Sequence, residues 1–575
     1  MPPTPDLLNR RWRLEPPADE PMAAALAAAL GIPTPFARLL CQRGYADVDS
    51  ARRFLRPSRH DLHDPGLLPD MDRAVERLTR AIRGGETILV HGDYDVDGQC
   101  SATIMTRVIH HLGGNANAVV PHRIREGYDL SESGVRKAID CGARVILALD
   151  CGTTAVDAVA QARAAGIDVI IVDHHLPGPA LPDALAIVNP RREGSVYPFP
   201  ELCGAGLGFK LGLALTRAMT GSDAFVWHLL DLAAIATVAD LVPLHGENRV
   251  IVKLGLRVLH TTRWPGLIAL VKAAGLAGRK VRAGQVAFTL GPRINAVGRV
   301  GDANDGLRLL LTDDPAEAER LAAQLERQNA ERQALDQRTL DEALEELERD
   351  YDPARDVGVV LAKEGWHPGV IGIVASRVVE RIGRPVFMIA LDGETGKGSG
   401  RSVSGCDLHR ALLKCAEYLE KFGGHRMAAG LTVHRDRLED FRVAFNEACR
   451  DQITPQELGL SQRVDSIVSL RDIDDEFERM LRALEPTGMG NPGPVFGIEG
   501  VELAAVKPIG ERHIRFTLTD GARKLRTVAW SLREDVERVA ARGGRLSAAV
   551  KLDHDSWLGQ ETVEGRLVTL SHSPT

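Results

Sequence analysis

Five short apolar runs punctuate the chain between residues 87 and 190: TILVHGD, NANAVVPHR, RVILALDCG, DVIIVDHH and ALAIVNP. Between them the apolar positions take up helical spacing, over 98–112, 131–141 and 154–165. Buried-type strands alternating with helices of this length predict a parallel sheet covered on both faces. In such sheets ligands bind beyond the carboxyl ends of the strands. After residue 204 the pattern turns helical, through AGLGFKLGLALTRAM, HLLDLAAIATVADLV and ENRVIVKLGLRVLH. Residues 315–350 form one charged segment with no internal Gly or Pro, a helix of roughly 50 Å at about 1.5 Å per residue. It reads as a connector between domains. A smaller α/β unit follows, with strands VGVVLAK and PVFMIAL, and the remainder is rich in strand-like runs such as HIRFTLTD and LRTVAWSL, which suggest a small β-barrel. The expected division is an N-terminal helical segment 1–72, a parallel-sheet domain 73–314, the connecting helix 315–350, an α/β domain 351–455 and a barrel 456–575.

Composition narrows the class. At 575 residues the chain exceeds one ordinary core, and 44% hydrophobic with 26% charged residues is a globular balance. The net charge of −7 excludes a globally basic field but not a local groove of Arg and Lys for phosphates. Eight scattered cysteines form no C-x-x-C pair, so free thiols in a reducing compartment are expected. No apolar run approaches the roughly 20 residues of a membrane span, and the start of the chain lacks a signal pattern, so the expected location is cytoplasmic.

The stretch DYDVDG (93–98) begins as an EF-hand loop does. Position 12 of that loop would be a bidentate Glu but is Ile104, and a strand, not a helix, precedes it. The acidic residues fit another arrangement. The first strand delivers His91, Asp93, Asp95 and Asp97; the third ends in Asp150; the fourth ends in Asp173, His174 and His175; and a later helix carries Asp240 among apolar neighbours. Four separated segments thus bring Asp or His to the place where the architecture builds sites. Carboxylates so close repel unless cations lie between them, and mixed Asp and His ligation suits Mn²⁺ better than Ca²⁺ or structural Zn²⁺.

HGDYDVDG, LALDCG, VDHH and ATVADLVPL, in this order, resemble the motifs of the DHH phosphoesterase family. The resemblance implies phosphoester hydrolysis with two divalent ions, Mn²⁺ or Mg²⁺. It implies Asp95, Asp97, Asp150, His174 and Asp240 as ligands, with Asp150 bridging and His175 contacting the phosphate or orienting a ligand. Either His91 or Asp93 completes the first metal. GPRINAVGR (291–299) is similar to a motif of the family's exonuclease branch, with Arg293, Asn295 and Arg299 placed to meet phosphates. EGWHPGVIGIVASR, GSGRS and FGGHRMAAG resemble the DHH-associated domain of that branch, implicating Ser399, Arg401, Ser402 and His425 in substrate binding. PHRIR offers Arg123, favoured over Arg125, to a 5′ phosphate, and EGYDL carries Asp129 where Gly is expected. The terminal barrel matches the position of an OB-fold, with Trp530, Trp557 and Phe516 as stacking candidates.

The implied activity is a single-strand-specific 5′→3′ DNA exonuclease of repair and recombination that releases 5′-mononucleotides. The strand would run between the two α/β domains of a monomer, with a single-strand-binding protein and a RecQ-type helicase as partners. A nanoRNase or cyclic-dinucleotide phosphodiesterase, and a non-enzymatic replication scaffold that binds DNA, are the alternatives.

Overall fold

The computed structural model describes residues 11–572 other than 17, 124, 455–460 and 556–561. Trp557 lies outside the described residues. The chain forms two compact units. One holds 49–330 together with the short return segment 483–493; the other holds the described parts of 1–48, 331–482 and 494–575.

The first unit is built on a five-stranded, wholly parallel sheet. Helix α1 (Met71–Arg83) precedes β1 (Thr87–Gly92), and then come α2 (Val96–His111), β2 (Asn115–Val119), α3 (Glu132–Asp140), β3 (Val145–Leu149), α4 (Val156–Ala164), β4 (Asp168–Val172) and β5 (Ala186–Val188). The strand order is β2-β1-β3-β4-β5. Alternate residues face opposite ways. Ile88, Val90, Val145, Leu147, Ile170 and Val172 join one buried cluster with residues of α1 and α2. Leu89, Ile146, Ala148, Val169 and Ile171 join the other with residues of α3 and α4. Both faces are covered, which is why the strands read as unbroken apolar runs. The order reverses between β1 and β3, so the crevice at their carboxyl ends is the place to look for a ligand.

Helices α5 (Gly204–Thr220), α6 (Leu230–Ala239) and α7 (Gly246–His260) follow in this unit. The return segment is held by α7. Buried Arg249 donates to the carbonyls of Phe54, Ala483, Glu485 and Pro486, and Lys253 to those of Leu55 and Ala483. After a π-helical turn, Val286–Leu290, α8 (Gly291–Val300) carries the GPRINAVGR motif. The long helix α9 spans Pro315–Asp350, as the absence of internal Gly and Pro led one to expect.

In the second unit, β6 (Val359–Glu364), α10 (Ile371–Ile382), β7 (Val386–Asp392), β8 (Thr395–Arg401), β9 (Leu419–Gly424) and β10 (Ala428–His434) build a mixed sheet of order β9-β10-β8-β7-β6. Only β6 and β7 run parallel. Of the Gly-rich stretches, GSGRS runs along β8, and FGGHRMAAG spans the end of β9, a turn and the start of β10. A Cβ on Gly400 would meet the Phe387 ring at 2.5 Å, and one on Gly398 the Leu431 side chain at 2.7 Å. These glycines are small because neighbouring core side chains fill their space, while Lys397, Ser399 and Arg401 point the other way.

The chain ends in β11 (Val495–Ile509), β12 (His513–Thr519), β13 (Lys524–Ala529), β14 (Leu546–Asp555) and β15 (Thr562–His572). The pairing runs β11-β12-β13-β15-β14 and closes through β14 onto β11, with β13 and β15 parallel. This is a closed five-stranded OB-type barrel. Phe516 is in its core, whereas Trp530 is 47% exposed at the end of β13. At the N-terminus, helices Glu20–Leu30, Thr34–Gln42 and Val48–Leu55 follow a strand, Arg11–Leu14, which pairs in parallel with Ser461–Val464. The expected helical segment contains no hint of that strand, whose partner lies far along the chain. Among the described residues no single helix is long and apolar enough to cross a membrane.

Candidate metal centre

The turn after β1 is unusually tight. A Cβ on Gly92 would lie 2.3 Å from the Gly98 carbonyl oxygen, and one on Gly98 2.2 Å from the Asp93 nitrogen. Only glycine at both positions lets Asp93, Asp95 and Asp97 crowd into one turn. Asp95 caps α2, its Oδ1 accepting from the Asp97 and Gly98 amides at 2.9 and 3.1 Å. Asp97 meets the first turn of α5, where the Gly204 and Ala205 amides donate to its two oxygens at 2.6 and 2.7 Å. After β3, Asp150 adopts φ +60°, a left-handed backbone that non-glycine residues seldom take. Asp173, after β4, accepts from the amides of Thr153, His174 and His175 and from the His175 ring. Burial would raise its pKa, but these bonds hold it well below the usual carboxylate range. Asp240 stands at the carboxyl end of α6, where the helix dipole disfavours an anion and favours a cation beside it.

These side chains converge. His174 Nε2 lies 3.2 Å from Asp150 Oδ1, 3.7 Å from Asp240 Oδ2 and 3.9 Å from Asp97 Oδ2. Asp93, Asp95 and Asp150 bring ligand atoms within 4.8 Å of one another; so do Asp97, His174 and Asp240, and so do Asp150, His174 and His175. Asp150 belongs with residues of both groups. Burial, then repulsion from Asp95, pushes Asp93 up to about 8; burial, then Asp97 and Asp95, pushes Asp240 up to about 9. Burial and neighbouring carboxylates raise Asp150 well above the usual range, and burial with Asp95 outweighs His174 to raise Asp97. Burial lowers the His174 pKa and keeps the ring neutral, the form that ligates metals. Asp93 Oδ1, Asp150 Oδ1 and both ring nitrogens of His174 are buried without an aligned hydrogen bond. Unpartnered buried acceptors among carboxylates that cannot all ionise together fit divalent cations.

Of the two candidates left open on β1, Asp93 joins the cluster and His91 does not. His91 is buried on the other side, its Nδ1 3.6 Å from Cys151 Sγ and its ring against Gly134. Burial, then the Lys137 charge, lowers its pKa to about 4. The strand ends at Gly92, so the alternation that would align residues 91 and 93 breaks there.

The guanidinium of Arg123 lies over the Tyr94 ring, 4.8 Å from its centroid, and its charge reaches Asp93. Asn295 Oδ1 accepts from the Val96 amide, tying α8 to the start of α2, and the Arg299 charge reaches Tyr94. Arg293 forms a bidentate pair with Glu326 and donates to the Thr289 carbonyl. Arg401 donates to Ser399 Oγ at 3.2 Å, both against Gly372 at the start of α10. The buried hydroxyl of Ser402 donates to the Cys406 carbonyl at 2.8 Å. His425 is exposed in the turn between β9 and β10. Sequence reasoning gave no role to three support groups, Asp173, Gly204 and Tyr128, the last with its hydroxyl 3.0 Å from His175 Nδ1. The roles of Gly204 and Tyr128 depend on contacts between distant segments that no local pattern encodes, and Asp173 adds to its neighbours His174 and His175 one distant donor, the Thr153 amide.

Comparison with known proteins gives three family matches: the DHH family N-terminal domain over residues 87–237, the DHHA1 domain over 356–451 and the RecJ OB domain over 464–568. The single-stranded-DNA-specific exonuclease RecJ of Bacillus subtilis (strain 168) is 38% identical over 551 residues, which is 95% of this chain and 69% of that protein. The exonuclease of the same name from Escherichia coli (strain K12) is 36% identical over 84% of this chain and 86% of its own length. The crystal structure of RecJ in complex with Mn²⁺ from Thermus thermophilus superposes with a TM-score of 0.84 at 31% identity, covering 98% of this chain and 80% of that one.

Proposed function

The chain belongs to the RecJ family of single-stranded-DNA-specific exonucleases, and we propose that it hydrolyses single-stranded DNA from the 5′ end with two divalent cations. The observation that carries this reading is the position of Asp150 within reach of both ligand groups. Asp93, Asp95 and Asp150 would hold one cation; Asp97, His174 and Asp240, with Asp150 shared, would hold the other. Mn²⁺ or Mg²⁺ so held would supply a nucleophile at neutral pH and charge neutralisation at the leaving oxygen.

The chain's own groups do the rest. His175, whose pKa burial would lower and the bond to Asp173 raises, is held by that bond and would donate to the scissile phosphate. Arg123, poised on Tyr94 beside Asp93, would take the 5′ phosphate and set polarity. Asn295 and Arg299 would line the same crevice, while Arg401, Ser399 and exposed His425 would bind backbone phosphates of the strand. The closed OB barrel supports a role in gripping single strands. With this reading goes a monomeric, cytoplasmic enzyme of DNA repair, consistent with its eight free thiols, that meets its substrate alongside a single-strand-binding protein and a RecQ-type helicase.

The test is a 5′-phosphorylated oligonucleotide labelled at either end, single-stranded or duplex, incubated with Mn²⁺, Mg²⁺ or EDTA. A labelled 5′-mononucleotide should appear first, from the single strand alone, and only with metal. Earlier release of the 3′ label would overturn the polarity. Equal cutting of duplex would overturn the strand preference.

A further inference from the structure

The loop between β2 and α3 contains a residue in a backbone conformation it seldom adopts. Asp129 has φ +79°, in the left-handed region where glycine is at ease and other residues are strained. Its carboxylate is fully engaged. Oδ1 accepts from its own neighbour's amide, Leu130, at 2.8 Å, and from the Gly152 amide at 2.6 Å. Oδ2 accepts from the Thr154 hydroxyl at 2.8 Å. Gly152 and Thr154 belong to the loop that begins at Asp150, where the backbone is left-handed at Asp150, φ +60°, and turns at Gly152, φ +104°, as glycine permits.

The clamp has a second arm and a firm base. The Tyr128 hydroxyl reaches the His175 ring, so adjacent residues of one loop hold the ends of β3 and β4. The base is Glu126, which accepts from the His122 amide, the Ser133 hydroxyl and the Lys137 ammonium. A loop so anchored passes its rigidity to whatever it grips.

We infer that Asp129 is a positioning residue: by gripping Gly152 and Thr154 it holds the Asp150 carboxylate at the junction of the two ligand groups. This rests on the two-cation reading of that site. Both Asp129 oxygens are occupied by donors, so its action on a metal is indirect. Two substitutions separate positioning from loop folding. Asp129→Gly removes the clamp and also relieves the backbone strain, so the chain should fold as well as before. Asp129→Asn keeps an acceptor for the Gly152 amide, tolerates the left-handed backbone, and can donate to the Thr154 oxygen.

The experiment uses the full chain. Mn²⁺ binding is measured by calorimetry, and amide exchange of the peptide containing 150–154 is followed by mass spectrometry in EDTA. Asp129→Gly should weaken Mn²⁺ binding about tenfold or more, as loss of an outer partner of a metal ligand does, and should speed exchange in that peptide at an unchanged melting temperature. It should lower kcat rather than raise KM, while Asp129→Asn stays within about threefold of wild type on every measure. Wild-type affinity and exchange in Asp129→Gly would overturn the inference alone. Failure of the wild-type chain to bind Mn²⁺ would overturn the two-cation reading and this inference with it.

Discussion

Gly204 stands against Asp150 with no space between them: a Cβ at residue 204 would lie 2.5 Å from Asp150 Cβ and 2.8 Å from its Oδ1. The same residue's amide donates to Asp97. One glycine therefore lets the start of α5 serve one candidate ligand while the other passes beside it. Gly204→Ala should lower kcat/KM on a short single strand by roughly two orders of magnitude, as a displacement near 1 Å at a reacting centre can. Overpacking should cost about 1–3 kcal/mol in a denaturant melt. Wild-type activity in this variant would show that Asp150 does not need its observed position.

Asp93 and His91 make a sharper pair. Asp93→Asn should weaken Mn²⁺ binding at least about tenfold, whereas His91→Gln, on the far side of the strand end, should leave it within about threefold. Calorimetry on the two variants decides it, and the reverse ranking would place His91 in the centre.

The buried carboxylates make the metal-free chain sensitive to pH. In the folded state Asp93 titrates at about 8 and Asp240 at about 9, against roughly 4 for an unfolded aspartate. Between those values the folded state holds protons that the unfolded chain has released. The stability these groups contribute is therefore complete below about pH 4 and is lost as pH rises through about 8–9. In EDTA, the melting temperature of Asp240→Asn should climb relative to wild type between pH 5 and 9. Stabilisation of the wild type by Mn²⁺ should grow over the same window, since a cation needs the ionised forms. A difference between variant and wild type that is flat with pH would refute the raised pKa.

Trp530 leaves its ring exposed at the end of β13, edge-on to His513 at 4.9 Å. Trp530→Ala should weaken binding of a single strand in EDTA by about 1–3 kcal/mol, the usual worth of one stacked base, without lowering the melting temperature. Fluorescence anisotropy reads this directly, and unchanged affinity would remove Trp530 from the strand path.

What the chain reveals by its pattern alone follows from these contacts. β1, β3 and β4 were legible because burial on both faces leaves only apolar residues, and α9 because nothing interrupts it. Asp95, Asp97, Asp150, His174 and Asp240 each lie at the end or start of a recognisable element, but it was the resemblance to the DHH family that implied their roles as ligands. The strand character of GSGRS was hidden. Period-two alternation is present in Gly396, Gly398 and Gly400, but it is written in glycine, whose meaning depends on Phe387 and Leu431 beneath it. The fate of Arg293 depended on Glu326, a helix away, and that of His91 on where β1 stops. The Asp129 departure was visible as an oddity, yet its purpose required the left-handed backbone and the Gly152 amide to be seen together.

The central claim is that two cations share Asp150. Electron paramagnetic resonance of the Mn²⁺-saturated chain tests it most directly. The account expects two Mn²⁺ per chain with a spin-coupled, many-line spectrum, collapsing to an uncoupled six-line signal in Asp150→Asn. A six-line spectrum from the saturated wild type, with one ion bound, would contradict it.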